Sequence, residues 1–398
     1  MAAVPPGMTA PVPQPVWSLV YNQKDITRDV SAYVTSVSYT DKLSGESDEI
    51  QVDLEDSEGR WRDAWYPGKG DTLTLKMGYA GEPLLECGTF SIDEIELSGP
   101  PDRVSLRGLA TSVTVAMRTR MNRGFENTTL AAIAQRIAGK HHLQLQGQIE
   151  PLTIDRVTQY DETDLAFLKR IAGDYGYMMK VTHTHVIFSS LDRLRDVAPA
   201  FTFTRRDVSR YTFRDTINRI YKGAKHRSQN SRSKKVVTVG VQADGHVGAV
   251  GEKNVSTTTR VPFRLPDTSA DTLTLSGRSG NQGNAERRSR AALNLKNQYQ
   301  KTGTLSLEGN LRLRAGHNLT LSDFGVCDGV WLTGSVRHSL TRSGGYTMEA
   351  DIARGPVAKK SEAAGAGKKL IIVGAKPDGS IDKVGTTTGI KPSGRKRP

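Results

Sequence analysis

Apolar and polar residues alternate with period two along much of this chain, as they do in strands that bury one face. WSLVYNQKDITRDVSAYVTSVSYTD and DEIQVDLED read this way. After the turn YPGKG come DTLTLKMGY, CGTFSIDEIELS and DRVSLRGLA, divided by Gly-Pro or Gly-Glu-Pro punctuation. The succession predicts an antiparallel sheet rolled into a barrel or sandwich over residues 17–118, preceded by an extended, proline-bearing arm over 1–16.

The period then changes. In NTTLAAIAQRIAGKHHLQL, Leu130, Ile133, Ala134 and Ile137 follow helical spacing, with Asn127 or Thr128 as N-cap and Gly139 marking the end. DETDLAFLKRIAGDYG places Leu165, Leu168, Ile171 and Ala172 on one helical face. Its start is capped by Asp161 or Thr163, and acidic residues there suit the helix dipole. YMMKVTHTHVIFSS then reads as a β-hairpin, Tyr177–Val181 and His185–Phe188. Residues 119–200 are therefore expected to form a small α/β insert.

From 201 the chain returns to strands, FTFTRRDVSRYTFRDTINRIYKGAKH and KKVVTVGVQ. Residues 240–283, rich in Gly, Ser, Thr and Asn, predict a long loop. A basic helix over 285–300 turns Ala285, Ala292, Leu295 and Tyr299 inward. TGTLSLEG, RAGHNLTL, GVWLTGSVRHSL and GYTMEADIA follow. Three segments repeat earlier ones in order: Gly70–Leu75 matches Gly316–Leu321, Gly88-Thr89-Phe90 matches Gly329-Val330-Trp331, and 102–110 matches 345–353. Period-two meanders also resemble one another by chance; order and spacing favour a duplicated domain, the second spanning 201–355. The fold class expected is α+β: two tube-like antiparallel β-barrel domains, a small α/β insert and flexible termini.

Composition narrows the function classes. No segment reaches the ~18 consecutive apolar residues of a membrane span, and the N-terminus lacks the basic start and apolar core of a secretory signal. Cys87 and Cys327 are too few for a disulfide framework or a zinc site and read as small core residues. The formal charge is +13, but residues 356–398 carry ten Lys or Arg against Glu362, Asp378 and Asp382, a net of +7. More than half the excess thus lies in a Gly- and Lys-rich stretch expected to be a flexible basic tail, without aromatic stacking platforms for nucleic acid.

The search for chemistry yields no catalytic residue, no cofactor-binding residue and no metal ligand set. A Gly-x-Ser-x-Gly elbow is missing from the sequence. His183 and His185 share one side of a strand but lack a third ligand. Asp53 and Glu55 alternate with Val52 and Leu54 and read as the solvated face of a strand rather than a glycosidase pair. GRSGNQGN (277–284) lacks the Lys-Ser/Thr pair of a phosphate cradle.

The segment 161–188 resembles the signature of the phage late control D family, the tail hub of contractile phages. It carries the acidic start Asp161-Glu162, Phe167-Leu168-Lys169-Arg170, Tyr175-Gly176 and the hairpin Met178–Phe188. The helix start Thr129-Leu130 and the segments TGTLSLEGN and LRLRAGHNLTL extend the likeness to about residues 15–355. The resemblance implies a non-enzymatic homotrimer whose paired tube-like domains form a pseudo-sixfold ring. That ring adapts a hexameric tail tube to a trimeric central spike, contacts baseplate wedge or tape-measure proteins, and passes DNA only as cargo. It also implies a virion protein assembled in the bacterial host cytoplasm, without a membrane anchor. The same fold forms the N-terminal part of type VI secretion spike proteins; here a basic tail stands where they carry a β-helical spike. A tail-associated peptidoglycan hydrolase is the alternative from another class. The family's name evokes regulation, but no helix-turn-helix with a basic recognition helix is evident.

Overall fold

A computed structural model describes residues 13–45, 47–110, 117, 119–182, 184–216, 220–230, 235–242, 247–249, 271–276, 282–355, 371–375 and 381–386. The first strand set is β1 (Pro15–Tyr21), β2 (Lys24–Asp25), β3 (Val34–Lys42), β4 (Glu49–Glu55), β5 (Thr72–Tyr79), β6 (Leu85–Ser98) and β7 (Arg103–Ala110), with the short helix α1 (Thr27–Val30). Alternation does what it predicts: Ile50, Val52 and Leu54 are buried, and Asp53 and Glu55 turn outward. Pro15 and Val16 belong to β1, paired with Tyr79 and Gly78, so the strand begins inside the expected arm.

The insert comprises β8 (Arg120–Thr129), α2 (Leu130–Lys140), β9 (Gln144–Gln146), β10 (Thr153–Thr163), α3 (Asp164–Asp174), β11 (Tyr177–Val181), β12 (His185–Ser190) and α4 (Leu191–Asp196). The N-caps are Thr129 and Thr163, whose hydroxyls accept from Ala132 and Ala166 N–H at 3.1 Å. Asn127 and Thr128, the expected caps of α2, lie instead in β8. The pair β8–β10 escaped the pattern because Phe125 is the only buried residue of β8.

The second set holds β13 (Phe201–Thr204) and β14 (Arg210–Asp215). After it comes a side sheet of β15 (Gly223–Asn230), β16 (Lys235–Gln242), β17 (Val247–Ala249) and β18 (Thr272–Ser276), then α5 (Gln282–Asn297). β18 runs parallel to β15 inside the stretch expected to be loop. The set is completed by β19 (Lys301–Glu308), β20 (Asn318–Ser322), β21 (Gly329–Thr341) and β22 (Gly345–Arg354). By themselves, β23 (Ile371–Ala375) and β24 (Ile381–Thr386) form an antiparallel pair within the stretch expected to be a flexible tail.

Of the inward positions expected for α5, Ala285 is buried and Leu295 packs against a small apolar cluster. Asn284, Ala285, Ser289, Ala291, Leu293 and Asn297 face inward, while Tyr299 lies beyond the helix and is 56% exposed. Polar residues occupy this face because each is hydrogen-bonded: Asn284 Nδ2 to Thr153 O at 2.8 Å, Ser289 Oγ to Ala285 O at 2.8 Å, and Asn297 Nδ2 to Tyr221 O at 2.8 Å.

The two strand sets share one order of pairing. The first runs β3-β4-β7-β6-β5-β1 and the second β14-β19-β22-β21-β20-β13. Their details coincide as well. β6 skips a residue opposite β7 between Ile92 and Glu94, and β21 skips one opposite β22 between Thr333 and Ser335. Gly70 N–H donates to Ile92 O at 2.9 Å and Ile92 N–H to Asp71 O at 2.8 Å, just as Gly316 N–H donates to Thr333 O at 2.8 Å and Thr333 N–H to His317 O at 2.9 Å. Gly70 and Gly316 have φ of 93° and 90°, and Gly88 and Gly329 have 110° and 118°, backbone that only glycine adopts readily. One pairing differs: β1 is antiparallel to β5, and β13 is parallel to β20.

Among the described residues the pairings close neither set into a separate barrel. They join both in one sheet of 13 strands, because β21 pairs antiparallel with β3 from Ser335–Lys42 to Thr341–Ser36. Leu43 N–H to Gly334 O at 2.9 Å and Arg342 N–H to Thr35 O at 3.0 Å extend this seam at both ends. Its core face is closed to bulk solvent. Val37, Val336 and His338 are fully buried, and the His338 ring stacks on Tyr39 at 6.0 Å between centroids. The first set's core accordingly takes in Tyr346 from β22, while Trp331 anchors the second. Fully burying side chains of this kind contributes ~1.5–3 kcal/mol each.

His338 bonds Tyr346 Oη through Nδ1 at 2.9 Å, and burial, then the positive charge of Arg314, lowers its pKa to about 4. A base held neutral when folded binds fewer protons than when unfolded. Its contribution is therefore complete above the unfolded value of ~6.5 and is lost as pH falls from there towards 4. Wild-type unfolding free energy should fall by about 3 kcal/mol more than that of His338→Gln between pH 7 and 4. His317 and His226, also lowered by burial, titrate in both proteins and cancel. Parallel pH profiles in urea titrations would refute this assignment.

Candidate assembly site

The residues singled out in the sequence do not converge. His185 bonds its neighbour Thr184 through Nδ1 at 2.7 Å, and His183 and residues 277–281 lie outside the described residues. Asp53 accepts from Gln51 at 2.9 Å and Ser105 at 2.7 Å on the open side of the sheet, and Glu55 meets Arg342 at 3.5 Å. Cys87 is buried, which pushes its thiol up, out of the reactive range. The Cys327 carbonyl accepts from Trp331 Nε1 at 2.8 Å.

Charged groups cluster elsewhere, at the joint between the first sheet and the insert. Lys180 on β11 reaches Asp41 and, at 2.9 Å, Asp48. Asp41 also accepts from Ala315 N–H at 3.1 Å, and Asp48 from Lys42 N–H at 3.0 Å and Tyr39 Oη at 3.3 Å. All four carboxylate oxygens are thereby engaged. Burial alone would lower the Lys180 pKa, but the two carboxylates hold it above the usual value, so the ammonium stays charged. A saturated, enclosed pair of this kind leaves no room for a sugar ring and a water between two acids, the arrangement that glycoside hydrolysis needs.

The 161–188 segment is part of the same joint. Asp164 opens α3 fully buried. Burial raises its pKa, but bonds from Gln159, His141 and Lys140 and the charge of Arg123 outweigh this and hold the carboxyl well below the usual range. Its oxygens meet Gln159 Nε2 at 2.9 Å, Lys140 Nζ at 2.9 Å, His141 Nε2 at 2.8 Å and an Arg123 amine. One carboxylate thus ties the end of α2 to the start of α3 and to the β8–β10 pair. Phe167 stacks on Phe125 at 5.4 Å, and Glu162 pairs with Arg170 at 2.8 Å. Lys169 Nζ donates to Gly45 O at 2.9 Å, Gly45 N–H to Met179 O at 3.2 Å, and Met179 N–H to Ser44 Oγ at 3.1 Å. These contacts dock the insert on the β3–β4 turn.

Helix α5 clasps the insert from the other side. Arg288 pairs with Asp174 at 3.0 Å, Asn294 Nδ2 donates to Asp192 at 3.0 Å, and Arg287 pairs with Glu150. Sequence reading missed Lys180, Asp41, Asp48 and Asp164 as a group because their partners are distant in sequence: Lys180 and Asp41 are 139 positions apart. This arrangement holds the insert against the first sheet and α5.

Removing the ammonium would leave two buried carboxylates without their counter-charge. Lys180→Met should therefore cost roughly 3–5 kcal/mol in urea unfolding and raise hydrogen exchange first in β11 and the β3–β4 turn. A loss below ~1 kcal/mol would show the joint to be solvated.

No helix among the described residues is long and apolar enough to cross a membrane. In fold, the chain is similar to the tail protein from Neisseria meningitidis MC58, with a TM-score of 0.60 at 12% identity, covering 86% of this chain and 96% of that one. It is equally similar to the 43 kDa tail protein of prophage MuSo2 from Shewanella oneidensis, again with a TM-score of 0.60 at 12% identity, covering 85% and 98%. In sequence it is 28% identical over 205 residues to the "Probable baseplate hub protein" of Escherichia phage 186, covering 50% of this chain and 52% of that protein. The same figures hold for the protein of that name in Escherichia phage P2. The chain therefore spans about half the length of the curated relatives it matches. The family model described as phage tail baseplate hub (GPD) matches residues 102–344, which takes in the insert, the side sheet, α5 and most of the second strand set, and the chain belongs to that family.

Proposed function

We propose that this chain is a structural subunit of the baseplate hub of a contractile phage tail or a related injection device. Three copies form a ring that joins a hexameric tail tube to a trimeric spike and lets DNA or another payload through. Each chain contributes two tube-like β domains, 17–118 and 201–355, separated by the insert 119–200. The observation that carries this reading is the coincidence of the two strand sets within one chain, in strand order, skipped residue and glycine conformation. Two similar units per chain let a threefold assembly present six similar units to a sixfold tube. The enclosed charge cluster supports a mechanical role, since its groups hold elements together. Tube protein, central spike and wedge or tape-measure proteins are the partners this role requires, and the virion, after assembly in the host cytoplasm, is its place.

Sedimentation velocity and native mass measurement on the purified chain, alone and mixed with the tube protein of the same tail, test the reading. A three-chain particle whose images show a ring with six lobes is expected. A chain that remains monomeric alone and with tube protein overturns it.

A further inference from the structure

The seam within the chain leaves one counterpart open at each end of the sheet. β21 extends past β20, and β3 fills the edge left open along Ser335–Thr341. Its counterpart β6 likewise extends past β5, which pairs with it only up to Ser91. Among the described residues no strand lies on that side of Glu94–Ser98. The counterpart of β3 is β14, which pairs with β19 on one side and, among the described residues, with no strand on the other. One strand set thus ends in the projecting half of the joint and the other in its receiving half.

Exposure follows the same logic. Leu97 corresponds to His338, Phe213 to Tyr39 and Tyr211 to Val37. Where the seam is filled these positions are at most 6% exposed, whereas Leu97 is 46% and Tyr211 38% exposed. Charge agrees. The projecting half of β6 carries Glu94 and Glu96, and β14 carries Arg210 and Arg214, all exposed. Thr216 N–H donates to Gln300 O at 3.0 Å on the β19 side, so alternation turns the amides and carbonyls of Tyr211, Phe213 and Asp215 to the open edge.

We propose that successive copies join by antiparallel pairing of Glu94–Ser98 in one copy with Thr212–Thr216 in the next, in the register used by β21 and β3. This rests on the ring reading above and specifies its contact. The transferred register sets Leu97 opposite Phe213 on the core face and Glu96 opposite Arg214 on the other. Glu96 and Arg214 correspond to Arg337 and Thr40, which lie between the hydrogen-bonded pairs of the internal seam, where side chains approach most closely. Beyond Ser98, Pro100 and Pro101 have no amide hydrogen and end the ladder.

The test uses the full chain carrying Glu96→Cys and Arg214→Cys in a Cys327→Ser background, oxidised and run on non-reducing gels. A covalent three-chain species is expected, since paired cysteines at such a position meet disulfide geometry. Ser98→Cys with Thr216→Cys, four residues out of register, should stay uncross-linked. Separately, Glu96→Arg or Arg214→Glu alone should weaken association by roughly tenfold or more, and the two together should restore it. If sedimentation shows three-chain rings but the in-register pair does not cross-link, or both pairs cross-link equally, this seam is wrong while the ring stands. If the wild-type chain stays monomeric with and without tube protein, both fail.

Discussion

The pairing of β21 with β3 is the constraint on which the rest of the molecule depends. It turns two strand sets, separated in sequence by the insert, into one hydrogen-bonded sheet. The first set's core is then completed by the second: Tyr346 of β22 packs among the first set's apolar residues, and Gly309 leaves space for its ring where any Cβ would collide with it. Tyr79 closes the arrangement by donating to Gly309 O at 3.2 Å. The tolerance for change along the seam is small because a shift of one residue would turn every buried side chain to the opposite face.

The buried charged groups at the joint fix the orientation of the insert. Lys180 with Asp41 and Asp48 holds the insert to the first sheet, and Ala315 brings the second set to the same carboxylate. Asp164 does the equivalent inside the insert, where four side chains converge on one acid. Buried ion pairs add little net stability compared with apolar packing, but they penalise misplacement heavily.

How much of this the sequence reveals depends on the range of the interaction that decides each feature. Strands whose inner face is apolar were plain from alternation, as in DEIQVDLED and TGTLSLEG, and the helices α2 and α3 from Leu130, Ile133, Leu168 and Ile171. The offsets between Gly70 and Gly316 and between Gly88 and Gly329 were readable because positive φ confines those sites to one residue type. The polar part of α5's inner face was not, since the burial of Asn284 and Asn297 depends on the carbonyls of Thr153 and Tyr221 elsewhere in the fold. β8 and β10 gave no period because their side chains are mostly exposed. The segment 161–188 stood out by resemblance, but its task of holding the insert to the β3–β4 turn required coordinates.

Placing the seam between the two strand sets inside a single polypeptide changes the concentration dependence of any closed assembly built from it. A contact between covalently linked partners has an effective concentration that dilution cannot lower. The internal seam forms as the chain folds, and β13, laid parallel to β20, receives the chain as it leaves the insert. For the proposed ring of six lobes, the equilibrium amount then scales with the third power of chain concentration rather than the sixth. Fewer separate encounters are needed to close such a ring, so fewer incomplete arcs lie on the way to it.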